Sequence, residues 1–183
     1  MMKRTASVFL PAVFLLAACG GDAPEPPAEP PAEPVPATTI SADGPEANAD
    51  AVWQYLQDEA YRDNWDLWPN RGELYTGQEP HGMLLTTYVN AVAAQALATG
   101  VEAMPAGAII VKENYMPDST FAAATVMYKS PGFDAENNDW WWLKRLADGT
   151  VEASGKGAGC INCHRGMQAN DYVWTSQLQG AGQ

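Results

Sequence analysis

Between residues 50 and 61 the side chains of Val52, Tyr55, Leu56 and Ala60 recur at steps of three and four, which predicts an amphipathic helix. The stretch Trp65 to Gly77 crowds Trp, Pro, Asn and Gly together and reads as loop. From Met83 to Val89 the chain is apolar and β-branched, a strand. Asn90 then caps an alanine-rich helix over 91–98, which Gly100 stops. Gly107 to Tyr115 alternates, putting Ile109, Val111, Glu113 and Tyr115 on one face and Ala108, Ile110, Lys112 and Asn114 on the other. Phe121 to Lys129 and Trp140 to Leu146 supply two more strands, and Asp148-Gly149 makes a tight hairpin turn. Gly155, Gly157 and Gly159 leave the approach to Cys160 flexible and free of side chains. These elements predict an α+β fold, a single domain rich in antiparallel β-sheet with a few packed helices.

The first residues follow another logic. Lys3 and Arg4 precede an apolar stretch, Val8 to Leu16, too short to span a bilayer. Leu16-Ala17-Ala18-Cys19 follows, with Gly20 behind it, and resembles a bacterial lipobox. That resemblance implies cleavage before Cys19, a diacylglyceryl group on its thiol, and a place in the cell envelope with the domain in the periplasm or at the outer membrane. Gly20 favours the outer membrane. Asp22 to Ala37 repeats Pro-Pro-Ala-Glu and carries four acidic residues. Such a segment is extended, and at ~3.1 Å per residue it forms a stalk on the order of 50 Å long. The chain therefore divides into a signal peptide (1–18), a lipidated cysteine with linker (19–44) and a folded domain (45–183).

Net charge changes the picture by exclusion. A formal charge of −12 leaves no basic face to neutralise phosphates, so nucleic acid is not a partner. It also argues against docking on anionic lipid by charge, and it is compatible with a basic protein partner. Seven Trp and seven Tyr suit a chain wrapped around a large flat ligand, and equally an aromatic core.

Three cysteines in an exported chain call for an explanation, and Cys160-Ile161-Asn162-Cys163-His164 supplies one. Two thiols separated by two residues reach two vinyl groups along one porphyrin edge, and the next residue turns its imidazole under the iron. The motif is the attachment signature of haem c, one covalent group per chain, with Cys160 and Cys163 as attachment points and His164 as axial ligand. A redox dithiol, a structural disulfide and a zinc site are the alternatives. The first lies more often after an early strand, the second has no need of His164, and the third needs about four ligands. His81, the second of two histidines, is a distal ligand or a structural loop residue. Met83, Met104, Met116, Met127 and Met167 each offer a thioether, with core packing as the ordinary role. Lys112 lies mid-strand on a face with Ala108 and Ile110. It is either a buried nucleophile or a lysine that snorkels from an edge strand, and the pattern alone favours the latter.

From about Leu67 to Thr175 the sequence resembles the cytochrome P-460 family, which includes the cytochromes c-prime-beta. The matching elements are 84–90, 107–113, the Trp140 strand, and 160–164 with 170–175 behind it. The resemblance implies a sheet-rich, dimeric domain whose iron has an open distal site for small nitrogen compounds. It implies for Lys112 a covalent bond to the haem, and for the position of Thr125 a distal glutamate that acts as proton relay. Threonine is no useful base near neutral pH. Glu113 points to the opposite face by alternation, and Glu136 and Asp139 lie in a loop that could reach the pocket. Three functions follow. The first is an oxidoreductase acting on hydroxylamine or nitric oxide with a redox partner protein. The second is a non-catalytic binder of nitric oxide. The third is an electron carrier with His81 or a methionine as sixth ligand.

Overall fold

The computed structural model describes residues 44–100 and 102–175. The signal peptide, Cys19 and the stalk lie outside the described residues. The domain opens with helix α1 (Ala49–Asp58), followed by a short helix α2 (Tyr61–Asn64). Asn48 caps α1 by accepting from the Ala51 amide at 2.8 Å. The helix ends earlier than periodicity predicts, because Ala60 takes a left-handed conformation at φ 46° and turns Tyr61 away into the sheet.

Two short strands, β1 (Asp66–Leu67) and β2 (Tyr75–Thr76), interrupt the expected loop. Then come β3 (Leu84–Val89), helix α3 (Ala91–Thr99), β4 (Ile109–Tyr115), β5 (Phe121–Lys129), β6 (Trp140–Leu146), β7 (Val151–Gly155) and helix α4 (Ala158–His164). Every pairing is antiparallel, and β3 to β7 follow one another across the sheet in chain order. Both β1 and β2 pair with β3, at its two ends. The α+β antiparallel architecture is the one expected. The Asp148-Gly149 turn joins β6 to β7 as a hairpin, as predicted, whereas helix α4 occupies a stretch whose glycines predicted only a flexible approach.

The sheet buries both faces, as alternation requires. On one face Ile109, Val111, Val126, Tyr128, Trp141 and Leu143 pack with Val52 and Leu56 of α1. On the other, Ile110, Met127, Trp140 and Trp142 pack with Ala93 and Ala96 of α3 and Ile161 of α4. Asn90 ties α3 to the sheet. Its Oδ1 accepts from the amides of Ala93 and Ile109, and its Nδ2 donates to the Gly107 carbonyl.

β4 is a central strand, and its alternation sorts two ionisable residues onto opposite faces. Glu113 is fully buried on the α1 side. It accepts from the hydroxyls of Tyr61 at 2.7 Å and Tyr115 at 2.6 Å, and from Arg62, whose Nε lies 2.6 Å away. A charge is tolerated in a core only with partners of this kind. Burial, and next the bond to Glu113, hold the Tyr61 and Tyr115 hydroxyls well above the usual phenol range.

Replacing Glu113 by Ala leaves the buried Tyr61 hydroxyl without its acceptor and opens a void. We expect Glu113→Ala to cost about 2–4 kcal/mol of unfolding free energy, and Glu113→Gln less, measured by urea denaturation. A loss below about 0.5 kcal/mol would show that the cluster does not clamp α2 to the sheet.

Candidate haem site

The C-terminal helix is short because its job is local. Gly157 precedes α4, and a Cβ there would stand 3.3 Å from Cys160 Sγ. Cys160 and Cys163 are one helical turn apart, so they share a face. Both thiols are free. Cys160 is half-buried and Cys163 exposed, and burial pushes the Cys160 thiol up. His164 is buried, with Trp142 edge-on at a centroid distance of 4.8 Å. His164 Nδ1 lies 2.8 Å from the Tyr172 carbonyl oxygen. A carbonyl only accepts, so Nδ1 carries the proton and Nε2 keeps its lone pair.

That carbonyl is held by an elaborate turn. Asp171 and Tyr172 both take left-handed conformations, at φ 51° and 64°. The buried Asp171 carboxylate pairs with Lys129 Nζ at 2.7 Å, and accepts from Asn138 at 2.8 Å and the Met104 amide at 2.7 Å. The Asp171 carbonyl accepts from Trp140 Nε1 at 2.9 Å. Sequence reading passes over Asp171, because its partners Lys129 and Asn138 are 42 and 33 residues away. The Asn170-Asp171 pair, a combination that favours turns, is the single local signal.

His164 and Cys163 form one side of a cavity of about 350 Å³. Leu85, Ile110, Met127 and Val173 give it apolar walls, and Lys112 and His81 enter it from the sheet and from the 77–82 loop. Lys112 is not the edge-strand lysine that the pattern favours. It is half-buried between Thr87 of β3 and Thr125 of β5, and burial draws its ammonium below the ordinary lysine range.

His81 is likewise turned inward. Its Nδ1 is 3.2 Å from Asn114 Oδ1. Asn114 is buried, and its Nδ2 is committed to the carbonyls of Lys112 at 2.8 Å and Ala123 at 3.2 Å, so Oδ1 faces the histidine. The same Oδ1 accepts from the Gly82 amide at 3.1 Å. A side chain at Gly82 would put Cβ 2.6 Å from the Tyr115 nitrogen, so glycine lets the loop close on β4. Burial, and next the Lys112 charge, push the His81 imidazole down to about 4, so it is neutral at ordinary pH. Asn114 was on the predicted face, but nothing in the pattern links it to His81.

Thr125 does not line the cavity. Its hydroxyl donates to the Lys112 carbonyl at 3.2 Å and lies 3.5 Å from His81 Nδ1, behind the lining. Glu136 is exposed and outside the cavity, and Asp139 is engaged with the Asp134 amide. Glu113 sits on the far face, as alternation predicts. Among the five methionines, Met127 alone lines the cavity, while Met83 and Met116 are exposed. Among the described residues no group of three or more His, Cys, Asp or Glu is arranged to hold a metal ion.

A haem asks for a flat apolar slot, an imidazole with a free nitrogen, and thiols at its edge. The walls, His164 Nε2 and Cys163 fit that group, while Cys160, one turn earlier on α4, lies outside the cavity lining and packs against the core. The buried Trp142 indole N–H beside His164 has no acceptor among the described residues and is a donor left for a bound group or water. The fold and site thus define a haem protein built on a sheet, unlike a helical bundle. A family model, Cytochrome P460, matches residues 59–175, and the chain belongs to that family of haem proteins. A search of curated proteins finds no significant match.

The Lys129–Asp171 pair is nearly dry, so removing one partner leaves an uncompensated charge. We expect Asp171→Ala to lower unfolding free energy by about 3–5 kcal/mol, measured by calorimetry of the purified domain. A change near zero would mean that the C-terminal turn is held by other contacts.

Proposed function

We propose that this chain is an exported, lipid-anchored mono-haem cytochrome. In this reading the haem is joined to Cys160 and Cys163, ligated by His164, and accessible through the cavity to small nitrogen compounds such as nitric oxide and hydroxylamine, which it oxidises with a redox partner as electron acceptor. The observation that carries it is the cavity that brings His164 and Cys163 together with a half-buried Lys112. Membership of the family supports the haem.

Each residue has a task in this reading. The Tyr172 carbonyl fixes the His164 tautomer and raises the basicity of Nε2, as hydrogen bonds to ligating histidines do. Trp142 limits rotation of the ring. When bound, the haem supplies an iron that takes a small nitrogen ligand and exchanges single electrons. Lys112, drawn toward its uncharged amine by burial and lining the cavity, would offer a nucleophile to a haem held there. Its resemblance to the family lysine supports a bond to a haem meso carbon, which would replace one N–H and one C–H, release two protons and pass two electrons to the redox partner. Cys19 and the acidic stalk would hold the domain off the membrane as a homodimer, clear of lipid and accessible to a redox partner.

Mass spectrometry of denatured protein from a haem-competent host tests the attachment. The mass should include one haem, and Cys160→Ala with Cys163→Ala should lose it. Lys112→Ala should keep the haem, lose any red shift of the ferrous absorption band, and slow hydroxylamine oxidation on the order of tenfold or more. A colourless product, or full activity with an unchanged spectrum in Lys112→Ala, would overturn the respective half of the proposal.

A further inference from the structure

The two histidines of this chain come from the 77–82 loop and from α4 and meet in one cavity, with ring centroids 6.4 Å apart and planes at 90°. We infer that His81 is the second axial ligand of the iron, so that the resting protein is six-coordinate and a small ligand must displace an imidazole of the chain itself. The inference rests on the reading that His164 holds a haem iron.

Distance is the first argument. A metal held by two imidazoles at about 2.0 Å each puts their centroids roughly 6 Å apart. With one ring bonded and the other merely touching the macrocycle by an edge, the separation is roughly 7–8 Å. The observed 6.4 Å fits ligation. It also fits a His81 ring lying flat on the macrocycle, and hydrogen bonding decides between the two.

Asn114 Oδ1 can only accept, and Asn114 Nδ2 is engaged elsewhere, so His81 donates from Nδ1. The lone pair of His81 therefore sits on Nε2, as it does on His164. A flat ring keeps that lone pair in its own plane, directed along the macrocycle where no described residue donates to it, whereas ligation satisfies it. Each imidazole is anchored through Nδ1 by an oxygen, the arrangement expected of histidines that ligate through Nε2.

Positioning is the second argument. The loop that carries His81 is stapled to β4 through the Gly82 amide and to β2–β3 through Gly77, whose amide donates to the Met83 carbonyl at 2.8 Å. A Cβ at Gly77 would meet the Gly82 carbonyl oxygen at 2.1 Å, so both ends of the loop depend on glycine. This holds His81 at the cavity instead of in solvent. Lys112 and Met127 also enter the cavity, and each is a rival ligand that the same experiment separates.

The test is electron paramagnetic resonance and absorption of the purified holoprotein, oxidised and reduced, in the native sequence and as His81→Ala, Lys112→Ala and Met127→Leu. The native protein should be low-spin. His81→Ala should become high-spin, recover the low-spin signal when free imidazole is added, and bind carbon monoxide in the reduced form on the order of tenfold faster or more. Recovery with imidazole also shows that the variant has folded. A high-spin native protein that carries haem overturns this inference and leaves the haem reading intact. A low-spin signal that survives His81→Ala but not Lys112→Ala or Met127→Leu gives the ligand to that residue and equally overturns it. A colourless native protein overturns both.

Discussion

A strand must show consecutive side chains to opposite sides of its sheet, and in β4 this constraint organises the whole molecule. Glu113 and Lys112 are neighbours in sequence, yet one is sealed under α1 and α2 while the other enters the cavity. Glu113 fastens α2 to the sheet by a web of phenol and guanidinium donors. Asn114, on the Lys112 side, fastens the loop of His81. A slip of one residue in the register of β4 would exchange these roles and bury the wrong charges.

Around the cavity the protein controls protons by controlling acceptors. Both histidines meet an oxygen that cannot donate, so both are held in the tautomer that leaves Nε2 available. Burial lowers the proton affinity of His81, His164 and Lys112 alike, which keeps three nitrogen bases unprotonated more readily than in water. The acceptor for His164 depends on a left-handed turn, and that turn depends on a dry ion pair reaching across from β5. Support of this kind lies one layer behind the groups that would touch a cofactor, where small displacements have large chemical effects.

Strands β4 to β6 were legible because their side chains serve two packed faces. β5 and β6 begin and end where the pattern places them, and Asn90 and Gly100 bound α3 as cap and stop. The early end of α1 was not legible, because the left-handed Ala60 is stabilised by where Tyr61 must go, not by alanine itself. Nor was α4. Gly159 weakens local helix preference, and packing of Ile161 and His164 beside Trp142 overrides it.

What the chain's order of residues determined alone is whatever depends on near neighbours: the spacing of Cys160, Cys163 and His164, the faces of β4, and the family they belong to. What only tertiary structure decided is which distant residues meet. His81 faces His164 across 83 positions, and Asp171 reaches Lys129 and thereby aims the Tyr172 carbonyl. Thr125, a lining candidate by sequence, stands instead behind His81 and Lys112. Such meetings arise from the closure of loops and the stacking of strands, whose long-range partners leave no periodic trace in the sequence.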